Sequence, residues 1–92
     1  MLGANQAPQP LAQSLGLTPA DIVTLVRFAE RDARRGRLTD AIETLRVAVV
    51  LDPREVQAWD ALAHCLDLSG DASQAASAAR VSQKIRELEV GR

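Results

Sequence analysis

The sequence predicts an all-α protein built from antiparallel helix hairpins, about four helices in all, stacked as a short superhelix. Three observations predict it. Apolar residues recur at intervals of three and four, with no alternating stretch that would suit a strand. Start and stop signals divide that pattern into segments of helical length. The chain also matches itself when shifted by 34 residues, so that Gly36 falls on Gly70.

Residues 1–17, MLGANQAPQPLAQSLGL, are rich in Gln, Pro, Gly and Ala and read as a flexible N-terminal arm. Leu11, Leu15 and Leu17 allow one short helical turn within it. Order is expected from Thr18 onward. Thr18 can accept hydrogen bonds from the free amides, Pro19 suits the first helical position, and Asp21 meets the positive end of the helix dipole. Ile22, Leu25, Val26, Phe28 and Ala29 supply one apolar face, and Gly36 ends the helix.

Thr39 and Asp40 open the second helix, which carries Ala41, Ile42, Leu45, Ala48, Val49 and Leu51. Asp52-Pro53-Arg54-Glu55 repeats the start signal, with Asp52 as cap, Pro53 first in the helix and Glu55 reaching back. The third helix runs through Trp59, Leu62, Ala63 and Leu66 to Gly70. Asp71 or Ser73 starts the fourth, which continues to about Leu88 before Gly91. The helical domain spans residues 18–90, with repeat one at about 22–55 and repeat two at about 56–89.

The composition excludes several classes of function. Eleven basic and twelve acidic residues leave a net charge of −1, which favours neither nucleic acid nor a membrane surface. Phe28 and Trp59 are the only aromatic residues, too few for a base-stacking platform. No segment approaches the ~20 apolar residues of a membrane span, and the N-terminus has no secretory pattern. The single Cys65 forms no internal disulfide and suits a reducing compartment, so the expected location is cytoplasmic.

The self-match has internal detail. Leu25 falls on Trp59, Phe28 on Leu62, Ala29 on Ala63, Ala41 on Ala75 and Ala48 on Ser82. The motifs Leu25-x₂-Phe28-Ala29 with Ala41-x₃-Leu45 and Pro53, and Trp59-x₂-Leu62-Ala63-x₂-Leu66 with Ala75, resemble the tetratricopeptide repeat in two copies. The likeness covers residues 22 to about 86. Asp32 departs from it where an aromatic is usual, and Ala79 where a bulky residue is usual. The chain is also similar in scale to the small helical-repeat chaperones of bacterial type III secretion, with Val50-Leu51-Asp52 and Ala63-His64-Cys65 as loose points of likeness.

This resemblance implies a protein or peptide partner lying in a concave groove lined by the first helix of each pair. Carried across by position, the groove residues are Val23, Val26, Arg27, Glu30 and Arg34 from the first copy. Gln57, Asp60, His64 and Asp67 come from the second. The implied function is protein–protein interaction, as an adaptor, chaperone or assembly subunit without chemistry of its own. The alternative is a homo-oligomerisation module without a peptide ligand.

Other residue patterns have plainer readings. Arg27, Arg31, Arg34, Arg35 and Arg37 are interleaved with Glu30 and Asp32, and Glu30 and Arg34 stand at i,i+4, which reads as a solvated, self-paired face. Asp60, His64 and Asp67 share a face, but a metal site needs three or four converging ligands. No catalytic residue, metal or cofactor is expected, and Cys65 reads as an apolar filler. In the last helix, Ala75, Ala79 and Ser82 are expected to pack inward. That leaves Ala78, Val81, Ile85 and Leu88 as an apolar edge for association, covered by the N-terminal arm, a second copy or another protein.

Overall fold

The computed structural model describes residues 10–90, and every described element is helical: α1 (Leu11–Ser14), α2 (Pro19–Arg34), α3 (Leu38–Leu51), α4 (Val56–Leu68) and α5 (Ala72–Val90). Helices α2 and α3 form one hairpin and α4 and α5 the next. Helix α3 packs against both α2 and α4, and α2 also touches α4. The first nine residues of the expected arm, and Gly91 as a stop, lie outside the described residues. Within the rest of the arm Leu11–Ser14 forms α1, which packs on α3 and buries Ala12.

Each helix begins where its local chemistry allows. At α2 the amide of Thr18 donates to Asp21 Oδ2 at 2.8 Å and the amide of Asp21 donates to Thr18 Oγ1 at 3.3 Å. This reciprocal capping box has Pro19 in the first helical position. At α5 it is Asp71 that caps, its Oδ1 accepting from the amide of Gln74 at 3.1 Å.

The other two starts differ from expectation. Helix α3 begins at Leu38 with no side-chain cap. The turn before it is only Arg35–Gly36–Arg37, and the amide of Arg37 is still closing α2 by donating to the carbonyl of Asp32 at 2.8 Å. Helix α4 begins at Val56, with Glu55 rather than Asp52 as its cap. Pro53 therefore lies outside the helix. The cause is Trp59, whose Nε1 donates to the carbonyl of Pro53 at 2.8 Å, while Glu55 Oε2 accepts from the amide of Gln57 at 3.3 Å. The first copy has Leu25 in place of Trp59, so no such donor competes and α2 begins at its proline.

Both hairpin turns close alike. Gly36 and Gly70 take φ of +82° and +91°, and the amides of Arg37 and Asp71 reach back to Asp32 and Leu66. This left-handed closure is open to glycine without steric penalty.

The core uses alanine where backbones approach: Ala29, Ala41, Ala48 and Ala58 are wholly buried. Ile22, Val26, Leu45, Val49, Leu62 and Leu66 fill the space between them. Helix α5 turns inward a face that joins Ala75 and Ser82, expected there, to Ala78 and Ile85, expected on the outer edge. Ala75, Ala78, Ser82 and Ile85 are buried, and Ala79 is exposed. The expected apolar edge is thus largely internal, with Val81 half-buried and only Leu88 exposed. The alanine-rich start of α5 does not fix the rotational phase of the helix; its contacts with Asp60 on α4 do.

Several positions that are apolar inside the stack are small or polar at its ends, although Phe28 on α2 and Leu88 and Val90 on α5 stand exposed. The residues of α5 that match the inward Ile42, Leu45 and Val49 of α3 are Ala76, Ala79 and Gln83, and all three are exposed. Asp32, matching the buried Leu66, pairs with Arg37 at 3.6 Å.

Candidate functional site

A groove of about 580 Å³ runs between α2 and α4. From α2 it receives Glu30, Ala33 and Arg34, and from α4 Gln57, Asp60, Ala61, His64, Cys65 and Leu68. The steps of three and four hold each set on one helical stripe. Ala33, Ala61 and Cys65 are small, which leaves the hollow, while Leu68 stands 56% exposed at the carboxyl end of α4.

The walls are polar, and one wall is held from behind. Asp60 accepts from Arg86 Nη2 at 2.5 Å and from Arg86 Nη1 at 3.2 Å. It also accepts from the hydroxyl of Ser82. Ser82 is only 1% exposed, so Asp60 supplies a partner to a hydroxyl that water cannot reach. The Arg86 hydrogen bonds hold the Asp60 carboxyl below its ordinary range, against a smaller opposing effect of burial. Arg86 thereby balances the charge of Asp60, and both come from the second hairpin.

Burial, aided by the negative charge of Glu30, pushes the Cys65 thiol upward from its ordinary value. A protonated, buried sulfur of this kind is an apolar wall atom rather than a nucleophile. The Glu30–Arg34 pair suggested by spacing is absent from the ion pairs of the described residues, which join Arg37 to Asp32, Lys84 to Glu87 and Arg86 to Asp60. Glu30 and Arg34, one turn apart, therefore border the groove without forming an ion pair with each other. Among the described residues no three His, Cys, Asp or Glu side chains converge as metal ligands would.

Of the positions expected in the groove, Glu30, Arg34, Gln57, Asp60 and His64 line it. Val26 does not: it is buried in the core, because α3 and α4 both close over that side of α2. Val23 is half-buried, and Arg27 and Asp67 are exposed outside the lining. The sequence reading missed Ala33, Ala61, Cys65 and Leu68. Their signal was available in the same 3-4 spacing, since Ala61, Cys65 and Leu68 continue the stripe begun at Gln57.

Trp59, on the opposite side of α4, lies in a second, shallower crevice where Arg46 Nη2 donates to Gln74 Oε1 at 2.7 Å. That bond ties α3 to α5. No helix among the described residues is long and apolar enough to cross a membrane.

No family model matches the chain, and neither a curated protein nor a solved structure matches it.

Proposed function

We propose that this chain is a protein-binding module, an adaptor, chaperone or assembly subunit, that holds a segment of another protein between α2 and α4. The observation that carries the reading is the groove itself: a hollow floored by Ala33, Ala61 and Cys65 and bordered by Glu30, Arg34, Gln57 and His64. Small floor residues admit an apolar side chain of the partner. The polar border supplies hydrogen bonds that fix its register. The 34-residue register and its resemblance to tetratricopeptide repeats support the same reading, because that architecture binds through its concave face. A location in the cytoplasm goes with it, on the strength of a single buried thiol.

The test is a photo-crosslinking residue introduced at His64, with a control at Arg80 on the outer side of α5, in cells of the source organism. The partner captured at His64 and absent from the Arg80 control is then purified and titrated against the labelled chain by NMR. Shifts at Glu30, Gln57 and Leu68, lost in Leu68→Arg, are the expected result. Equal capture from both sites, or binding that Leu68→Arg leaves intact, would reject the groove.

A further inference from the structure

We propose that the partner segment held between α2 and α4 is acidic beside its apolar anchor, its carboxylates meeting a rim of arginines on α2. This rests on the reading of the groove as a protein-binding site. Residues 27–37 hold five arginines, Arg27, Arg31, Arg34, Arg35 and Arg37, against two acids, Glu30 and Asp32. The local excess is three positive charges in a chain whose net charge is −1. All five arginines are exposed, and of the five only Arg37 belongs to an ion pair among the described residues, with Asp32 at 3.6 Å. Steps of four and three place Arg27, Arg31 and Arg34 within an arc of about 60° on α2, and Arg35 and Arg37 follow in the turn. Arginine in a last helical turn also complements the helix dipole, which leaves Arg27, two turns earlier, without that role. The carbonyls of Arg31, Asp32 and Ala33 are already taken by the amides of Arg35, Gly36 and Arg37.

Arg34 joins this rim to the groove, whose lining it shares with Glu30. The Glu30 carboxylate repels a second one from the floor. Acidic residues of the partner are thereby directed outward onto Arg27, Arg31 and Arg34, while an apolar side chain enters over Ala33, Ala61 and Cys65. A guanidinium matches a carboxylate through two parallel N–H groups. Arg31 keeps that capacity although it lies over the Phe28 ring, since stacking occupies the face of the guanidinium and leaves its edge free. A single-stranded nucleic acid would need stacking partners besides positive charge. Phe28, already beneath Arg31, is the one aromatic side chain on α2, so an acidic polypeptide fits this rim better.

The experiment is an NMR titration of the labelled full chain with a synthetic peptide that joins a run of glutamates to a short leucine-rich stretch. The same peptide with glutamine for glutamate and a single-stranded oligonucleotide are titrated beside it, at ionic strengths of about 0.01 and 0.15 M. The acidic peptide should shift the Nε–H signals of Arg27, Arg31 and Arg34 together with the amides of Gln57 and His64. It should bind at least about tenfold more tightly than the glutamine peptide, and less tightly at the higher salt. Arg27→Gln combined with Arg34→Gln, which leaves Arg31 on Phe28, should remove the preference, and Arg80→Gln on α5 should keep it. Circular dichroism verifies the folding of each variant. A glutamine peptide that binds as tightly, with shifts at Gln57 and His64, overturns the acidic class and leaves the groove in place. Shifts at the arginines with Gln57 and His64 unmoved overturn the link between rim and groove. Absence of binding at millimolar peptide, or displacement of the peptide by the oligonucleotide at equal charge, also overturns the proposal.

Discussion

Phe28 and Leu62 hold the same place in successive hairpins, yet Phe28 is 52% exposed and Leu62 only 5%. The difference is what lies beside them. Helix α3 covers α4, whereas among the described residues no helix packs to the same extent in the corresponding place against α2. Arg31 lies over the Phe28 ring instead, with its guanidinium carbon 5.7 Å from the ring centre, a cation–π contact at an exposed site. Truncation should expose this asymmetry. Leu62→Ala is expected to cost about 2–5 kcal/mol, and Phe28→Ala under about 1 kcal/mol, as read from urea unfolding. Equal costs would mean that Phe28 is covered in solution.

The link between Ser82 and Asp60 predicts an asymmetric pair of variants. Asp60→Ala removes the acceptor of the buried Ser82 hydroxyl, which then keeps only the donation from Arg86 Nη1, at a cost of about 1–3 kcal/mol. Ser82→Ala removes the need for that acceptor and should cost less. In the double variant the two effects should fall well short of additive. Additivity in the unfolding data would show that the hydroxyl finds another partner.

Acid should act through the same carboxylate. The folded pKa of Asp60 lies below its ordinary 3.8, so in that range the native state binds fewer protons than the unfolded chain. Its contribution to stability is present above the unfolded value and is lost as pH falls below 3.8 through the folded value. Asp60→Asn should be less stable than the parent at neutral pH and should show a shallower decline in acid. Urea midpoints measured down to about pH 2.5 would check it. Parallel declines for both proteins would assign the acid sensitivity elsewhere.

Gly36 and Gly70 offer a cleaner test of backbone energy. A Cβ at either site meets nothing within 4 Å, so the cost of alanine is conformational alone. With φ near +82° and +91°, each substitution should lower stability by about 1–2 kcal/mol. Thermal unfolding of Gly36→Ala and Gly70→Ala measures it. A cost near zero would mean that the turn can close in another way.

Much of this architecture was legible in the chain because its signals were redundant. The glycines at 36 and 70, the proline at 19 and the 3-4 spacing all pointed to the same helices. The errors fell where a local signal competed with a tertiary one. Asp52-Pro53 reads as a helix start, but the Trp59 indole takes the Pro53 carbonyl and the helix waits for Val56. The apolar edge was assigned to α5 from a run of alanines too uniform to fix a face. Asp60, placed on the groove stripe by spacing, does line it, but spacing could not reveal that Arg86 and Ser82 hold it across 26 and 22 residues of sequence. Val26 shares the stripe of Arg27 and Glu30 closely enough that only the packing of neighbouring helices tells it apart.

The indole of Trp59 is the chain's only one, and it is anchored to the Pro53 carbonyl at the junction between the hairpins. Its fluorescence is therefore a local gauge of that junction rather than of helix content. If the hairpins separate before they melt, emission from Trp59 will change at a lower urea concentration than far-ultraviolet ellipticity. Coincident curves would mark the pair as a single cooperative unit. The molecule thus carries an intrinsic optical reporter of whether two stacked hairpins are enough to act as one.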